Sequence, residues 1–224
     1  RAQLAQSPVP DDLIDDLIFY AALVIVAGVR IGYALFYGAG SLWDDPLRVF
    51  RLWEGGMAFH GGFLGVVIAM WLFSRHQKIE VGALVDFIAP LAPVGLALGR
   101  IGNFINQELW GRPAEVPWAM VFPGDPLGLA RHPSQLYQFA MEGVLLFFVL
   151  FWYTRSPRPQ WSAAGLFLLG YGLFRSFAEF FREPDAHIGF DAFGWMTRGQ
   201  LLSLPMIAIG AAIMIWAYRR DAKK

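Results

Sequence analysis

The sequence predicts an all-α fold, a bundle of helices that crosses a lipid bilayer several times. Of its 224 residues, 56% are hydrophobic and only 16% are charged, whereas charged side chains make up about a quarter of an average soluble domain. Aromatic residues reach 16%, which suits side chains that meet both lipid tails and headgroups. This composition cannot cover a water-facing surface of ordinary size, so a soluble protein is excluded.

Six mostly apolar windows have the length of a membrane span, because a bilayer core of about 30 Å needs roughly 20 helical residues. They lie at about Leu17–Tyr37, Met57–Phe73, Val81–Leu98, Ser134–Tyr153, Ala163–Phe181 and Leu201–Tyr218. The first window follows acidic residues and lacks the basic region of a secretory signal peptide, so it is expected to be a true span. Residues 1–224 are predicted to form one transmembrane domain of six spans.

Small residues recur at the spacing of helix contacts. The pairs Gly28/Gly32 and Gly95/Gly99 each lie on one face of a predicted helix. Small residues allow helix backbones to approach closely in a membrane, where no hydrophobic effect pulls helices together. Both pairs are therefore predicted to lie at helix contacts within one bundle.

Short connections that contain Lys and Arg predict the orientation in the membrane. Basic residues occur at 75–78, at 155–158 and in the tail at 219–224, which all fall on one side if six spans alternate. That side is predicted to be cytoplasmic. The longer connections, near 38–56, 99–133 and 182–200, then face the periplasm. The first of them is predicted to carry a short interfacial helix, because its apolar residues recur at helical spacing: Trp43, Leu47, Phe50 and Trp53.

Charge and cysteine content exclude several functions. Eighteen Lys and Arg balance eighteen Asp and Glu, and the chain contains no Cys. The zero net charge gives no attraction to nucleic acid. Without Cys there is no thiolate metal site and no cysteine nucleophile of the protein's own, and the histidines are too scattered to bind a metal together. Any thiol in its chemistry must come from a substrate.

A polar stripe interrupts the fifth window. Tyr171, Arg175 and Glu179 stand at i, i+4 and i+8, which places them on one side of a helix over two turns. Arg182 continues the stripe toward the outer connection. An intrahelical ion pair that serves only packing is the alternative. We favour a functional role, because each charge at mid-span costs about 2.5 to 3.5 kcal/mol.

Three further ionisable residues lie in the apolar windows: Arg30, Asp86 and Glu142. For Asp86 and Glu142 we expect pairing inside the bundle or a position near an interface, since no second functional group lies nearby in sequence. For Arg30 the structural and functional interpretations remain equally open.

The run GRIGNFINQELWGRP at 99–113 joins several polar side chains to an apolar helix. Its Gly and Asn residues are poor helix formers and predict a break in the helix at membrane depth. Arg100 and Asn103, three residues apart, can present a guanidinium and a carboxamide to one ligand, and a guanidinium matches a phosphate. The alternative is a re-entrant turn whose side chains cap one another.

His60 begins the motif HGGFLG at the start of the second window. A histidine at a helix start is usually a cap or an interfacial residue. Gly61 and Gly62 leave space beside the imidazole, whose ordinary pKa near 6.5 suits a base at neutral pH. In RHPSQLYQ at 131–138, His132 is expected to be structural and Ser134 is expected to cap the fourth span.

Together these motifs resemble the prolipoprotein diacylglyceryl transferases of bacterial inner membranes. HGGFLG, GRIGNFINQELWGRP, RHPSQLYQ and GYGLFRSFAEFFREPD occur in this order, and the resemblance extends from about Leu17 to Tyr218. It implies transfer of the diacylglyceryl group of phosphatidylglycerol to the lipobox cysteine thiol of a prolipoprotein signal peptide, with release of glycerol phosphate. It implies no cofactor and an active site toward the periplasmic leaflet. The family has a further span with an important Tyr, so seven spans are expected, the first of them before Arg1.

The resemblance also implies roles for individual residues. The family's important positions match His60, Arg100, Asn103, Glu108, Gly111, Tyr171, Arg175 and Glu179. Arg100 and Arg175 would hold the phosphodiester from two sides, while Asn103 and Tyr171 would orient the headgroup. His60 would accept the thiol proton, and Glu179 would either hold Arg175 or serve as the base itself.

A transporter or flippase of anionic phospholipid is the alternative function. Such a protein would also need arginines inside the membrane and broken helices. Transporters usually show internal repeat symmetry. The sequence has no such repeat, which favours the transferase.

Overall fold

A computed structural model describes residues 8–10, 13–37, 59–183 and 196–223, without the side chains of residues 29–30, 32–37 and 59–64. The interfacial helix predicted around Trp43 and most of the connection 182–200 lie outside the described residues. The chain divides into two compact units, Leu4–Leu84 and Val85–Lys224. Each is described by itself.

The first unit contains helices α1 (Ile14–Tyr37) and α2 (Phe59–Gln77), which pack on each other. A Cβ atom added at Gly65 would lie 2.8 Å from the carbonyl oxygen of Val24 and 3.4 Å from the Cα of Gly28. The two backbones therefore touch at glycines, and the predicted contact at Gly28 is confirmed.

Helices α3 (Val81–Ile88) and α4 (Ala92–Ile105) fill the third window and meet at an angle of 44°. Pro90 lies in the break between them, where its ring and missing N–H prevent a continuous helix. This break was not predicted, since the third window was expected to form one continuous span. The break predicted in the run 99–113 is confirmed, because α4 ends at Ile105. An added Cβ at Gly95 or Gly99 meets nothing within 4 Å among the described residues, so the packing role of this pair stays a prediction.

The fourth window is helical from Ser134 to Tyr153, as predicted. It consists of α5 (Ser134–Gln138), a π-helical segment (Phe139–Leu145) and α6 (Leu146–Tyr153). Ser134 does not cap this helix, since its hydroxyl donates instead to the carbonyl oxygen of Leu109 at 2.9 Å. The Ser134 prediction was wrong because the hydroxyl finds a partner in the preceding connection.

Helices α7 (Ser162–Ala178) and α8 (Arg198–Asp221) pack closely through glycines. A Cβ at Gly210 would lie 2.5 Å from the backbone nitrogen of Leu169, so only glycine permits this approach. Asp86 accepts hydrogen bonds from the backbone N–H groups of Trp161 and Ala164 and thereby caps α7. The structural role expected for Asp86 is confirmed.

The described helices are those of a mostly α-helical membrane protein. Two of them, Ser134–Tyr153 and Arg198–Asp221, are long and apolar enough to cross a membrane, and the bent pair α3 and α4 would make a third span. Helix α7 is apolar but shorter. A helix lies in each of the six predicted windows, while the count of six spans stays a prediction.

The segment between α4 and α5 carries a small antiparallel ladder, which is an exception to the all-α prediction. Strand β1 (Met120–Val121) pairs with β2 (Ala130–Arg131), with Met120 opposite Arg131. Asp125, in the turn between the strands, accepts hydrogen bonds from Arg131 at 2.7 and 3.3 Å. This ion pair ties the turn to the second strand.

Candidate active site

Five side chains of alternating charge form a continuous ion-pair network in the second unit. In order of contact they are Arg100, Glu142, Arg175, Glu179 and Arg182. The successive N–O distances are 3.1, 3.7, 2.6 and 3.1 Å. The two carboxylates are 0% and 2% exposed, and each arginine is less than a fifth exposed. We call this set the charge network.

Local packing brings the network together from separate helices. Glu142 lies in the π-helical segment, next to Gly143, where an added Cβ would lie 2.6 Å from the Cβ of Ala97. This close approach sets the π segment against α4, which supplies Arg100. Arg175 and Glu179 meet because they are one helical turn apart, as the sequence predicted.

Both carboxylate oxygens of Glu179 have hydrogen-bond or ion-pair partners. Its Oε1 accepts from Arg175 and Arg182, and its Oε2 accepts a hydrogen bond from the hydroxyl of Thr197 at 2.7 Å. Thr197 is the N-cap of α8, so this contact joins α8 to the network. Sequence reasoning missed Thr197. Its signal was a Thr three residues before Gln200, which is the pattern of a capping box.

Tyr171 lies one turn before Arg175 on α7. The charged groups around its hydroxyl are those of Glu142, Arg175 and Arg100. Its ring stacks on that of Phe167, with centroids 6.0 Å apart. The phenol therefore points its polar end at the charge network and its apolar face along the helix.

Asn103 and Glu108 form a small hydrogen-bonded cap beside Arg100. The amide of Asn103 donates to the Glu108 carboxylate at 2.8 Å, and Arg100 donates to the amide oxygen of Asn103 at 3.4 Å. The chain turns on either side of Glu108, at Gln107 and Leu109, whose φ angles are +56° and +57°. The turn thus matches the self-capping alternative, and Asn103 joins it to Arg100 at the edge of the charge network.

Gly111 lies between two backbones. Its N–H donates to the carbonyl of His132 at 2.9 Å, and an added Cβ would lie 2.4 Å from that oxygen and 2.5 Å from the carbonyl oxygen of Phe181. No larger residue fits there without moving the main chain. The structure therefore gives Gly111 a packing role, whereas the resemblance named it only among the family's important positions.

Outside the helices, Arg131 organises the connection between α4 and α5. It pairs with Asp125, approaches Glu183 at 3.5 Å and donates to the carbonyl of Gly111 at 3.3 Å. The hydrogen bonds from Arg131 are the main reason why the pKa of Asp125 is lowered from its ordinary value of 3.8. His132 is hydrogen bonded to the hydroxyl of Tyr137 at 3.0 Å, which agrees with the structural role predicted for it.

His60, Gly61 and Gly62 form the start of α2, in the first unit. The structure does not describe the side chains of these residues or that of Arg30. The roles predicted for these residues therefore stay predictions.

The charge network carries an excess of one positive charge, because three arginines face two carboxylates. Among the residues that the structure describes, Arg100 Nε and Arg175 Nη1 are buried and have no hydrogen-bond partner. Guanidinium groups with unused N–H donors bind phosphate oxygens through charge-assisted hydrogen bonds. The arrangement fits one singly charged phosphate group.

The fold and the site define a helical membrane protein with a buried cationic site. The family model of the prolipoprotein diacylglyceryl transferases matches residues 1–216. The chain belongs to that family, as its motifs predicted, and it is a transferase.

Curated relatives agree. The phosphatidylglycerol–prolipoprotein diacylglyceryl transferase of Teredinibacter turnerae is 59% identical over 222 residues, which are 99% of this chain and 77% of the relative. The protein of that name from Azotobacter vinelandii is 56% identical over 94% of this chain and 79% of its own length. The one from Pseudomonas aeruginosa is 55% identical over 93% of this chain and 78% of its own length. These relatives disfavour the transporter alternative.

Proposed function

We propose that this chain transfers the diacylglyceryl group of phosphatidylglycerol to the lipobox cysteine of a prolipoprotein. The observation that carries the proposal is the charge network, a buried cationic site in a member of this family. Phosphatidylglycerol presents one negatively charged phosphodiester. That charge balances the single excess positive charge of the three arginines and two glutamates.

The reaction exchanges one bond for another at a glycerol carbon. The cysteine sulfur attacks the carbon that bears the phosphate, the C–S bond forms, and the C–O bond breaks. The leaving oxygen keeps the electron pair and departs as glycerol phosphate, while the thiol proton passes to a base. Arg100 and Arg175 stabilise the growing negative charge. The loss of one such donor typically costs about 3 kcal/mol.

Neighbouring groups orient the lipid headgroup. The charged groups around the Tyr171 hydroxyl are those of Glu142, Arg175 and Arg100. The amide oxygen of Asn103 accepts a hydrogen bond from Arg100. Glu108 holds the Asn103 amide in place. Such groups add to catalysis by fixing the reacting carbon in line with the sulfur.

His60 is our candidate for the base. Both oxygens of Glu179 are engaged, by two arginines and by Thr197, which supports a role in holding Arg175. An imidazole has the ordinary pKa for a base at neutral pH, and Gly61 and Gly62 leave room for the substrate beside it. The thiolate is the reactive form of the substrate, because the thiol itself attacks poorly.

We place the protein in the bacterial inner membrane, with the charge network toward the periplasmic leaflet. The basic tail and the short basic connections support this orientation. Cysteine labelling tests it, since the native chain has no Cys. In intact spheroplasts, an impermeant thiol reagent should label Pro126→Cys and leave Lys224→Cys unlabelled. The reverse pattern would overturn the orientation.

Product formation tests the activity. The purified protein, in vesicles of phosphatidylglycerol, should add the mass of a diacylglyceryl group to a lipobox peptide and release one glycerol phosphate per peptide. A peptide with Ser in place of the lipobox cysteine is the matched control and should remain unmodified. Lipid movement between leaflets without any covalent product would favour the flippase instead.

A further inference from the structure

We propose that Glu142 is a positioning residue, a shared counter-charge that holds Arg100 and Arg175 around one phosphate. The inference rests on the proposed function. Nothing in the sequence motifs pointed to Glu142, for which we expected pairing inside the bundle or a position near an interface. The structure confirms that it pairs and shows that its partners are the two arginines proposed to hold the lipid.

The two oxygens of one carboxylate serve the two arginines. Oε2 lies 3.1 Å from Arg100 Nη2, and Oε1 lies 3.7 Å from Arg175 Nη1. Arg100 belongs to α4 and Arg175 belongs to α7, so Glu142 connects these two helices. The other carboxylate of the charge network, Glu179, pairs with Arg175 and Arg182 instead. Without Glu142, two like charges would face each other inside the protein and move apart.

The second contact is incomplete. At 3.7 Å, Arg175 Nη1 and Glu142 Oε1 are too far apart for a hydrogen bond, and both atoms are buried with no other hydrogen-bond partner in the described part of the chain. The nitrogen keeps a donor for a phosphate oxygen. Glu142 therefore sets the direction of Arg175 and leaves its N–H group available to the lipid.

The helix around Glu142 has an uncommon geometry. Glu142 is fully buried within a π-helical segment of seven residues. Such segments are rare and occur frequently at functional sites. Here the wider turn coincides with the contact between Gly143 and Ala97. A buried charge within a π-helical segment therefore indicates a functional position and not incidental packing.

The charge balance predicts how a Glu142 variant differs from an arginine variant. Removal of an arginine removes a phosphate ligand and weakens lipid binding. Glu142→Gln instead raises the excess charge of the network from one to two, so the anionic lipid still binds. The arginines then lie in the wrong places as the C–O bond breaks. The variant should therefore lose kcat and keep the KM for phosphatidylglycerol.

The experiment measures transfer to a lipobox peptide at varied phosphatidylglycerol, per folded protein. Glu142→Gln should lower kcat by about tenfold to a hundredfold, since small misplacements of reacting groups have effects of this size. Its KM should change less than about threefold. Glu142→Asp keeps the charge but is too short to reach both arginines, and should lie between parent and Glu142→Gln. Asp86→Asn is the control and should keep parental kcat, because this α3 carboxylate caps the start of α7, away from the charge network.

A double-mutant cycle separates positioning from a structural role. If Glu142 acts through Arg175, then Glu142→Gln should lower kcat by a much smaller factor in the Arg175→Lys background than in the parent. Additive losses would overturn the proposal, and so would a parental kcat in Glu142→Gln. If that variant does not fold, a parental kcat in Glu142→Asp overturns it equally. If the parent itself forms no product, the proposed function fails, and that outcome is distinct from any of these.

Discussion

The backbone of Gly199 lies against the carboxyl group of Glu179. A Cβ at position 199 would lie 2.5 Å from the carboxyl carbon and 2.7 Å from Oε1. The carboxylate cannot simply turn away, because Arg175 and Arg182 hold one oxygen and Thr197 holds the other. The start of α8 therefore packs directly against Glu179 of the charge network.

Gly199→Ala should lower both transfer and stability. The methyl group displaces the Glu179 carboxylate from its partners and loosens Arg175. We expect about a tenfold loss in kcat and a lower midpoint of thermal unfolding, since overpacking typically costs about 1 to 3 kcal/mol. Gly95→Ala is the matched control, because a Cβ there meets nothing within 4 Å among the described residues. Equal activity of the two variants would show that the Glu179 contact does not matter.

The sequence predicted helices and local pairs better than contacts between distant segments. Arg175 and Glu179 were paired correctly because they are one turn apart on one helix. Glu142 was not placed with them, because its partners lie 42 positions before and 33 positions after it in sequence, and only tertiary packing at Gly143 joins them. The end of α4 at Ile105 was predicted from the weak helix formers in the run 99–113. The break at Pro90 was missed because the apolar length of the third window was weighed above the proline, which removes a backbone donor outright.

Lysine at position 100 or 175 should remove most of the transfer activity. It keeps the positive charge but loses the planar fork that binds phosphate through two N–H groups. We expect a fall of about a hundredfold in kcat/KM for each variant. Arg155→Lys is the control, since Arg155 lies over the ring of Phe151, 5.0 Å from its centroid, outside the charge network. Near-normal transfer by both variants would exclude the proposed role of the arginines.

Gly111→Ala tests whether this residue serves the main chain or the substrate. The close carbonyl oxygens of His132 and Phe181 predict that the methyl group displaces backbone, at a cost of about 1 to 3 kcal/mol in the free energy of unfolding. The loss should appear as a lower thermal midpoint together with lower activity. A variant as stable as the parent but inactive would instead support direct contact with the lipid.

Asp125 predicts an acid sensitivity in the outer segment. Its folded-state pKa is lowered by hydrogen bonds from Arg131, so its contribution to stability is present above the ordinary value of 3.8 and is lost as the pH falls through the folded pKa. Asp125→Asn should unfold more easily than the parent near neutral pH, and the difference should shrink below about pH 4. Thermal unfolding from about pH 3 to pH 7 measures this. The exposed Glu115→Gln is the control, and a constant difference for Asp125→Asn would contradict the prediction.

His60→Gln distinguishes a base from an orienting residue. If His60 accepts the thiol proton, the variant should bind phosphatidylglycerol normally and transfer about a hundredfold more slowly. The loss should be partly relieved as the pH rises toward about 8.5, where more of the substrate cysteine is already thiolate. If His60 only positions the glycerol headgroup, lipid affinity should fall and high pH should give no selective recovery. Rates across pH for parent and variant, with lipid binding measured separately, decide between them. Unchanged binding with parallel pH profiles would leave Glu179 as the better candidate for the base.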